Sequence, residues 1–304
     1  MKKILVTGGT IFVSKYAAEH YVSRGDKVYV VNRNTHPQPE GVTLIKGDKS
    51  QINPGLSSVG FDLVLAVNIY TRQEMKNLLD SLDGNVGRIV FISSSAVYPE
   101  NTAIPYSAAA PVGANSVWGA YGTNKIEAER ELLERYPDAY ILRPPYFYGK
   151  YQCIYREGFV FDCAAKGMPF YVPGDGSMPL QFYNVSDLCR FMDRLIELCP
   201  KKNIFNVGNR DIIDINTYVK LCYQAAGAEC RLINVDMSVP QRAYFPFYRY
   251  SYSLDVSDQY DIVPGTVPLD EGIREEYLYY IDHQSEVFKR NDYFEYIENN
   301  LRVK

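Results

Sequence analysis

Several of the residues that proteins use to bind metals, form staples or enter membranes are scarce in this sequence of 304 residues. It has three histidines (His20, His36, His283) and six cysteines (Cys153, Cys163, Cys189, Cys199, Cys222, Cys230) with no CxxC pair. That spacing assembles no zinc ligand set, so no metal is expected. Unpaired, scattered cysteines read as buried reduced thiols, which suits a reducing compartment. No apolar run approaches the ~18 residues of a membrane helix. A secretory h-region is absent too: Met1-Lys2-Lys3 leads straight into a strand-like segment, as expected of the mature start of a cytoplasmic protein with no membrane attachment. Positive charge is not in excess, since 32 Lys and Arg face 36 Asp and Glu for a net charge of -4. This argues against nucleic acid as a partner, and any anionic ligand must be held by local groups. Tryptophan occurs once and tyrosine 27 times. Half-buried packing is the ordinary role of tyrosine, and an aromatic-lined cleft is the functional alternative.

What is present is an alternation of short β-rich runs with segments of helical period. Strands are expected near Ile4–Thr7, Val28–Val31, Val42–Lys46, Leu63–Val67, Ile89–Ser93 and Tyr140–Arg143, and helices near Val13–Arg24, Arg72–Leu82, Gly119–Arg135, Ser186–Leu198, Asn216–Ala226 and Asp270–Tyr280. That rhythm predicts an α/β, Rossmann-type doubly wound parallel sheet. It breaks at Pro144-Pro145, while Phe205-Asn206-Val207-Gly208 reads as one more strand returning to the sheet. The division expected is a dinucleotide-binding domain of residues 1–165 and 183–210, with an interleaved substrate-binding lobe of residues 166–182 and 211–304.

Ile4 to Ser14 has the order of a buried strand, a tight turn and a helix start, which aims backbone N–H groups and a helix dipole at a pyrophosphate. The GxGxxG spacing asks for glycine at 8, 11 and 14, but this sequence has Gly8, Ile11 and Ser14, with Gly9 as an extra. Gly8, Gly9, Thr10, Ile11 and Phe12 are the candidate phosphate-facing residues. At the end of the second strand, where a carboxylate would meet the adenosine ribose, stand Asn32-Arg33, which favours NADP over NAD. Asp48 is placed to meet an adenine amino group.

Tyr121 and Lys125 lie one helical turn apart on one face. A lysine so placed can depress the phenol pKa and make it a proton acceptor near neutral pH. Tyr146 and Lys150 repeat the spacing, but they follow two prolines and include Gly149, so a loop is expected there. Upstream of Tyr121, a strand ends in Ser93-Ser94-Ser95, which puts hydroxyls at the carboxyl edge of the sheet, where open α/β folds bind ligands.

Thr7-Gly8-Gly9-Thr10, Lys46-Gly47-Asp48, Ser93 to Tyr98, Tyr121 with Lys125, Leu142-Arg143-Pro144, Val185-Ser186-Asp187-Leu188, Asn206-Val207-Gly208 and Leu269 to Ile273 together resemble the NAD-dependent epimerase/dehydratase family, the extended short-chain dehydrogenases/reductases. The Gly-Gly-Thr-x-Phe turn is similar to that of the atypical branch that includes chloroplast stem-loop RNA-binding proteins. The resemblance implies that Ser94, with Ser95 as its neighbouring alternative, Tyr121 and Lys125 are catalytic, that Lys125 and Pro144 border the nicotinamide ribose, and that the protein pairs as a homodimer through the helix Gly119–Arg135. Two departures narrow the chemistry. Dehydratases of the family carry Asp-Glu after the catalytic Thr, and here Ser95 and Ala96 stand there. Epimerases hold a substrate diphosphate with an Asn and an Arg where this chain has Tyr146 and Leu180. Ser95, Tyr146, Arg156 and Arg242 are the substrate-side candidates, with Arg249 as a further cation. The expected function is that of an NAD(P)-dependent epimerase or reductase acting on a sugar-like hydroxyl or carbonyl compound, nucleotide sugars included. The alternative is a non-catalytic nucleotide- or RNA-binding regulatory protein on the same fold.

Overall fold

The computed structural model describes residues 1–302. Its first half runs β1 (Lys3–Thr7), α1 (Phe12–Ser23), β2 (Lys27–Asn32), β3 (Thr43–Lys46), β4 (Phe61–Ala66), α2 (Arg72–Leu82), β5 (Val86–Ile92), α3 (Ala120–Arg135) and β6 (Tyr140–Arg143). The second half runs β7 (Tyr146–Tyr148), α4 (Glu157–Ala165), β8 (Phe170–Pro173), β9 (Pro179–Leu180), β10 (Phe182–Asn184), α5 (Val185–Leu198), β11 (Ile204–Asn206), β12 (Ile213–Asp214), α6 (Ile215–Ala225), β13 (Leu232–Val235), α7 (Ser257–Ile262), α8 (Leu269–Asp282) and α9 (Asp292–Asn300). Seven strands form one parallel sheet in the order β11-β6-β5-β4-β1-β2-β3. This is the doubly wound arrangement expected, and the segment at Phe205 does return to it. The order reverses between β1 and β4, and a doubly wound sheet opens its ligand crevice at such a point.

Each strand is apolar on both faces because both faces are covered. Ile4, Val6, Leu63 and Leu65 pack with Ala17, Ala18, Phe191 and Leu195 of α1 and α5. Their alternates Leu5, Val64 and Ala66 pack with Met75, Leu79, Ala128 and Leu132 of α2 and α3. A separate core, rich in aromatics, joins α4, α6, α8 and α9 to β8 and β13 through Phe159, Phe170, Tyr218, Phe245, Ile273 and Tyr293. Most of the tyrosines serve such packing.

Two expectations need correction. Tyr146 opens the short strand β7, which pairs with β10, rather than lying on a loop, because Tyr146 to Tyr148 align in register with Phe182 to Asn184. Of the cysteines, Cys163, Cys189 and Cys222 are buried, but Cys199 is exposed just past the end of α5. Among the described residues no cluster of His, Cys, Asp or Glu could hold a metal, and no helix is long and apolar enough to cross a membrane.

Candidate active site

A cleft of about 830 Å³ opens along the carboxyl edge of the sheet, from Arg33 and Asp48 at one end, past Gly8 and Tyr121, to Tyr146, Arg156 and Tyr252 at the other. That volume lies within the ~300–1,000 Å³ of small-molecule sites.

At the turn, Gly8 has φ +92° and Gly9 has φ +86°, values that disfavour any side chain. A Cβ on Gly8 would meet Ser14 Oγ at 3.0 Å and the Asn68 amide at 3.2 Å. Gly8, Thr10, Ile11, Phe12 and Ser14 line the cleft, but Gly9 does not. Gly9 faces inward, where its Cβ would lie 2.3 Å from Val30 Cγ1, so the extra glycine serves the approach of the turn to β2 rather than a ligand. Ser14 is tolerated in place of glycine because its hydroxyl folds back to donate to the Ile11 carbonyl at 2.8 Å. Ile11, the N-cap of α1, makes no side-chain cap, and no acidic residue occupies the first turn. The first N–H groups of a 12-residue helix are therefore left to meet an anion at the cleft wall. Asn68, beside them, has a buried Oδ1 without a partner. An uncapped helix start, a cradle that a Cβ would fill and an orphaned buried acceptor suit a dinucleotide pyrophosphate and its ribose.

At the adenosine end the Asn32 amide is committed to the turn, donating to the Gly8 carbonyl at 2.6 Å and to Gln38 at 3.0 Å. Arg33 is exposed on the cleft wall beside His36. Asp48 accepts from the Ser50 backbone and hydroxyl, which hold its carboxyl below the ordinary carboxylate pKa, with Arg33 and Lys49 assisting.

At the centre, Ser94 caps the short turn Ser95–Val97 by accepting from the Ala96 N–H at 3.1 Å. Tyr121 stands 42% exposed in the cleft wall. Burial by the surrounding walls raises its phenol pKa, and the neighbouring Ser94 hydroxyl draws it part of the way back. The expected depression by Lys125 is therefore not seen. The Lys125 ammonium is held at the cleft floor, donating to the carbonyls of Ile69 at 2.7 Å and Ile92 at 2.8 Å, between the rings of Phe91 and Tyr70. There burial pulls its own pKa down to about 7, against an opposing pull from Glu129. Behind it, Glu129 accepts from Arg143 Nη2 at 2.6 Å and from Ser93, and Arg143 also holds the Tyr98 hydroxyl at 3.0 Å.

On the substrate side, Pro144, Tyr146, Ser95 and Arg156 line the cleft. Ser95 donates its hydroxyl to Tyr252 at 3.1 Å, which leaves that phenol its own proton to give. Arg242 is not on the wall: its guanidinium lies over the Tyr248 ring and donates to the Phe245 carbonyl at 3.2 Å. Arg249 turns to the Met237 carbonyl. Sequence spacing could not find Lys49, Asn68, Tyr70, Trp118, Cys153 or Tyr252, which reach the wall from separate loops. The nearest available signal was the run of tyrosines from residue 244 to 252.

Against known proteins, the profile of the NAD dependent epimerase/dehydratase family matches residues 4–208. The chloroplast stem-loop binding protein of 41 kDa b of Arabidopsis thaliana is 26% identical over 245 residues, 74% of this chain and 64% of its own length. UDP-glucose 4-epimerase of Erwinia amylovora is 24% identical over 162 residues, 43% of this chain and 48% of its own. The chain thus spans less than two thirds of either curated relative. Among solved structures, the Bordetella bronchiseptica enzyme WbmH in complex with NAD+ superposes with a TM-score of 0.77 at 18% identity, covering 93% of this chain and 99% of that one. This likeness is one of fold.

Proposed function

Because this chain belongs to the NAD dependent epimerase/dehydratase family, we propose that it is an NAD(P)-dependent epimerase or reductase acting on a sugar-like hydroxyl or carbonyl compound. The observation that carries the reading is the Ser94–Tyr121 hydroxyl pair, set in one cleft with the glycine turn and with Lys125 one helical turn further on. A nicotinamide dinucleotide, bound at Gly8, Thr10 to Phe12, Asp48 and Pro144, supplies hydride acceptance and return. NADP is the form favoured, since the one titratable group at the end of β2 is Arg33, a cation on the cleft wall. Tyr121 moves the proton of the reacting oxygen. Its raised pKa makes it a proton donor at rest, the form needed to reduce a carbonyl, and the Ser94 hydroxyl steadies the phenolate needed for the reverse step. Lys125 holds the floor beneath them.

In the test, NAD+ and NADP+ are titrated into purified protein, and dinucleotide turnover is followed against a panel of sugars, sugar phosphates and nucleotide sugars. Tyr121→Phe is expected to leave the dinucleotide Kd within about twofold and to lose turnover by at least the ~10²–10⁴-fold of a removed acid-base group. Full activity in that variant refutes the assignment. A second reading, a nucleotide- or RNA-binding regulatory protein, is favoured by the stem-loop binding relative and by the withdrawal of Lys125 onto two carbonyls. Salt-sensitive RNA binding without dinucleotide affinity would establish it instead.

A further inference from the structure

Arg156 is an unusual component of the cleft wall. It is 7% exposed, and its guanidinium stands 5.2 Å from the centre of the Tyr146 ring and 5.7 Å from that of Phe247. One nitrogen donates to the Phe147 carbonyl, while Nε has no partner. The carboxylate of Glu157 lies 3.8 Å from Nε, too far for a hydrogen bond. Glu157 is itself fully buried, with both oxygens unpartnered, and burial pushes it toward its protonated form. Glu276, which accepts the Gly149 N–H at 2.6 Å, is pushed the same way by burial and by Glu157. Neither carboxyl therefore neutralises the guanidinium in full. A buried, charged, under-bonded arginine is costly unless a partner completes it.

We propose that this partner is a single anionic group on the substrate, a phosphate or a carboxylate carried by a monosaccharide-sized body, and that nucleoside diphosphate sugars are not the substrate. The inference rests on the reading above in one respect, that a dinucleotide takes the glycine-turn end of the cleft. Arg156 is the one arginine at the opposite end, Arg242 and Arg249 being turned onto backbone carbonyls, so a second phosphate finds no second guanidinium. Space points the same way. The whole cleft measures about 830 Å³, the size of a site for one drug-sized ligand, and a dinucleotide at the glycine-turn end would share that volume with the substrate. What remains is walled by Trp118, Tyr146 and Tyr252, flat faces that suit a single sugar ring.

The test is calorimetric titration of the NAD+-loaded protein with glucose, glucuronate, glucose 1-phosphate and UDP-glucose. Glucuronate or glucose 1-phosphate is expected to bind at least tenfold more tightly than glucose, and whichever of the two binds identifies the anion. UDP-glucose is expected to bind no more tightly than that monosaccharide. In Arg156→Gln/Glu157→Gln, which removes the guanidinium and the neighbouring buried carboxyl together, the preference should vanish while NAD+ affinity persists. Arg156→Lys should fold with its cation retained and weaken the charged sugar, because an ammonium lacks the planar fork of donors. The proposal is overturned by equal binding of glucose and the charged sugars, by tighter binding of UDP-glucose, by a preference that survives the double variant, or by unchanged affinity in Arg156→Lys. Failure to bind any dinucleotide overturns the proposed function alone, since the charge preference can still be read on the unloaded protein.

Discussion

Lys125 titrates near neutrality in this fold, and that makes protein stability depend on pH in a way that one substitution exposes. In the unfolded chain its amine keeps the ordinary value of 10.5 and stays charged through the neutral range; in the folded protein it gives up its proton near 7. Between those values the unfolded chain binds the extra proton, so the lysine's contribution to stability rises with pH. The ceiling is the full shift: at about 1.4 kcal/mol per pKa unit, the charged form is disfavoured by about 5 kcal/mol at low pH. Between pH 7 and 9 the wild type should gain about 2 kcal/mol relative to Lys125→Met. A neutral amine retains two N–H groups, enough for both the Ile69 and Ile92 carbonyls. The methionine leaves those carbonyls unpartnered, at roughly 1–3 kcal/mol each, but this cost is the same at every pH and shifts only the offset. Urea unfolding of both proteins at pH 7, 8 and 9 measures the difference, and groups common to both cancel. A difference that stays constant within about 0.5 kcal/mol over that range would refute the placement of Lys125 in a water-free floor.

Glu129→Ala strands the Arg143 guanidinium, whose side chain is 4% exposed and which is held to that carboxylate through two nitrogens. Denaturant unfolding should show a loss of ~3–5 kcal/mol, the range for breaking a buried pair from one side. Gly9→Ala brings a methyl to within 2.3 Å of Val30 at a φ of +86°. Overpacking of ~1–3 kcal/mol adds to a left-handed backbone cost of ~1–2 kcal/mol. Val30→Ala in the same chain removes the 2.3 Å contact but leaves the Val30 Cβ at 2.8 Å, so thermal unfolding should show only part of the packing loss restored and none of the backbone part.

The sheet was legible because its information is local. Alternating runs such as Ile4 to Val6 and Leu63 to Ala66 sort their own side chains onto two faces, and a parallel strand joined to its neighbour by a helix leaves few ways to wind. Tyr121 and Lys125 were legible for the same reason, since a helix puts residues four apart on one face. The spacing said nothing of where the ammonium would go. It was the arrival of Ile69 from the loop after β4 and of Ile92 from the end of β5 that drew the ammonium down, while the burial of Tyr121 itself raised the phenol. The turn spacing makes Gly9 as good a ligand-facing candidate as Gly8, and only β2, by bringing Val30 against it, separates the two. Arg156 and Arg242 were equal candidates in the sequence, and the folded chain put one in the cleft wall and the other over Tyr248. Periodicity and turn chemistry act within a few residues, so the sequence alone determined the strands and helices of the central sheet and its first glycine turn. Hydrogen-bond partners, exclusion of water and hence protonation depend on groups that meet only when distant segments close around them, and those the tertiary structure decided.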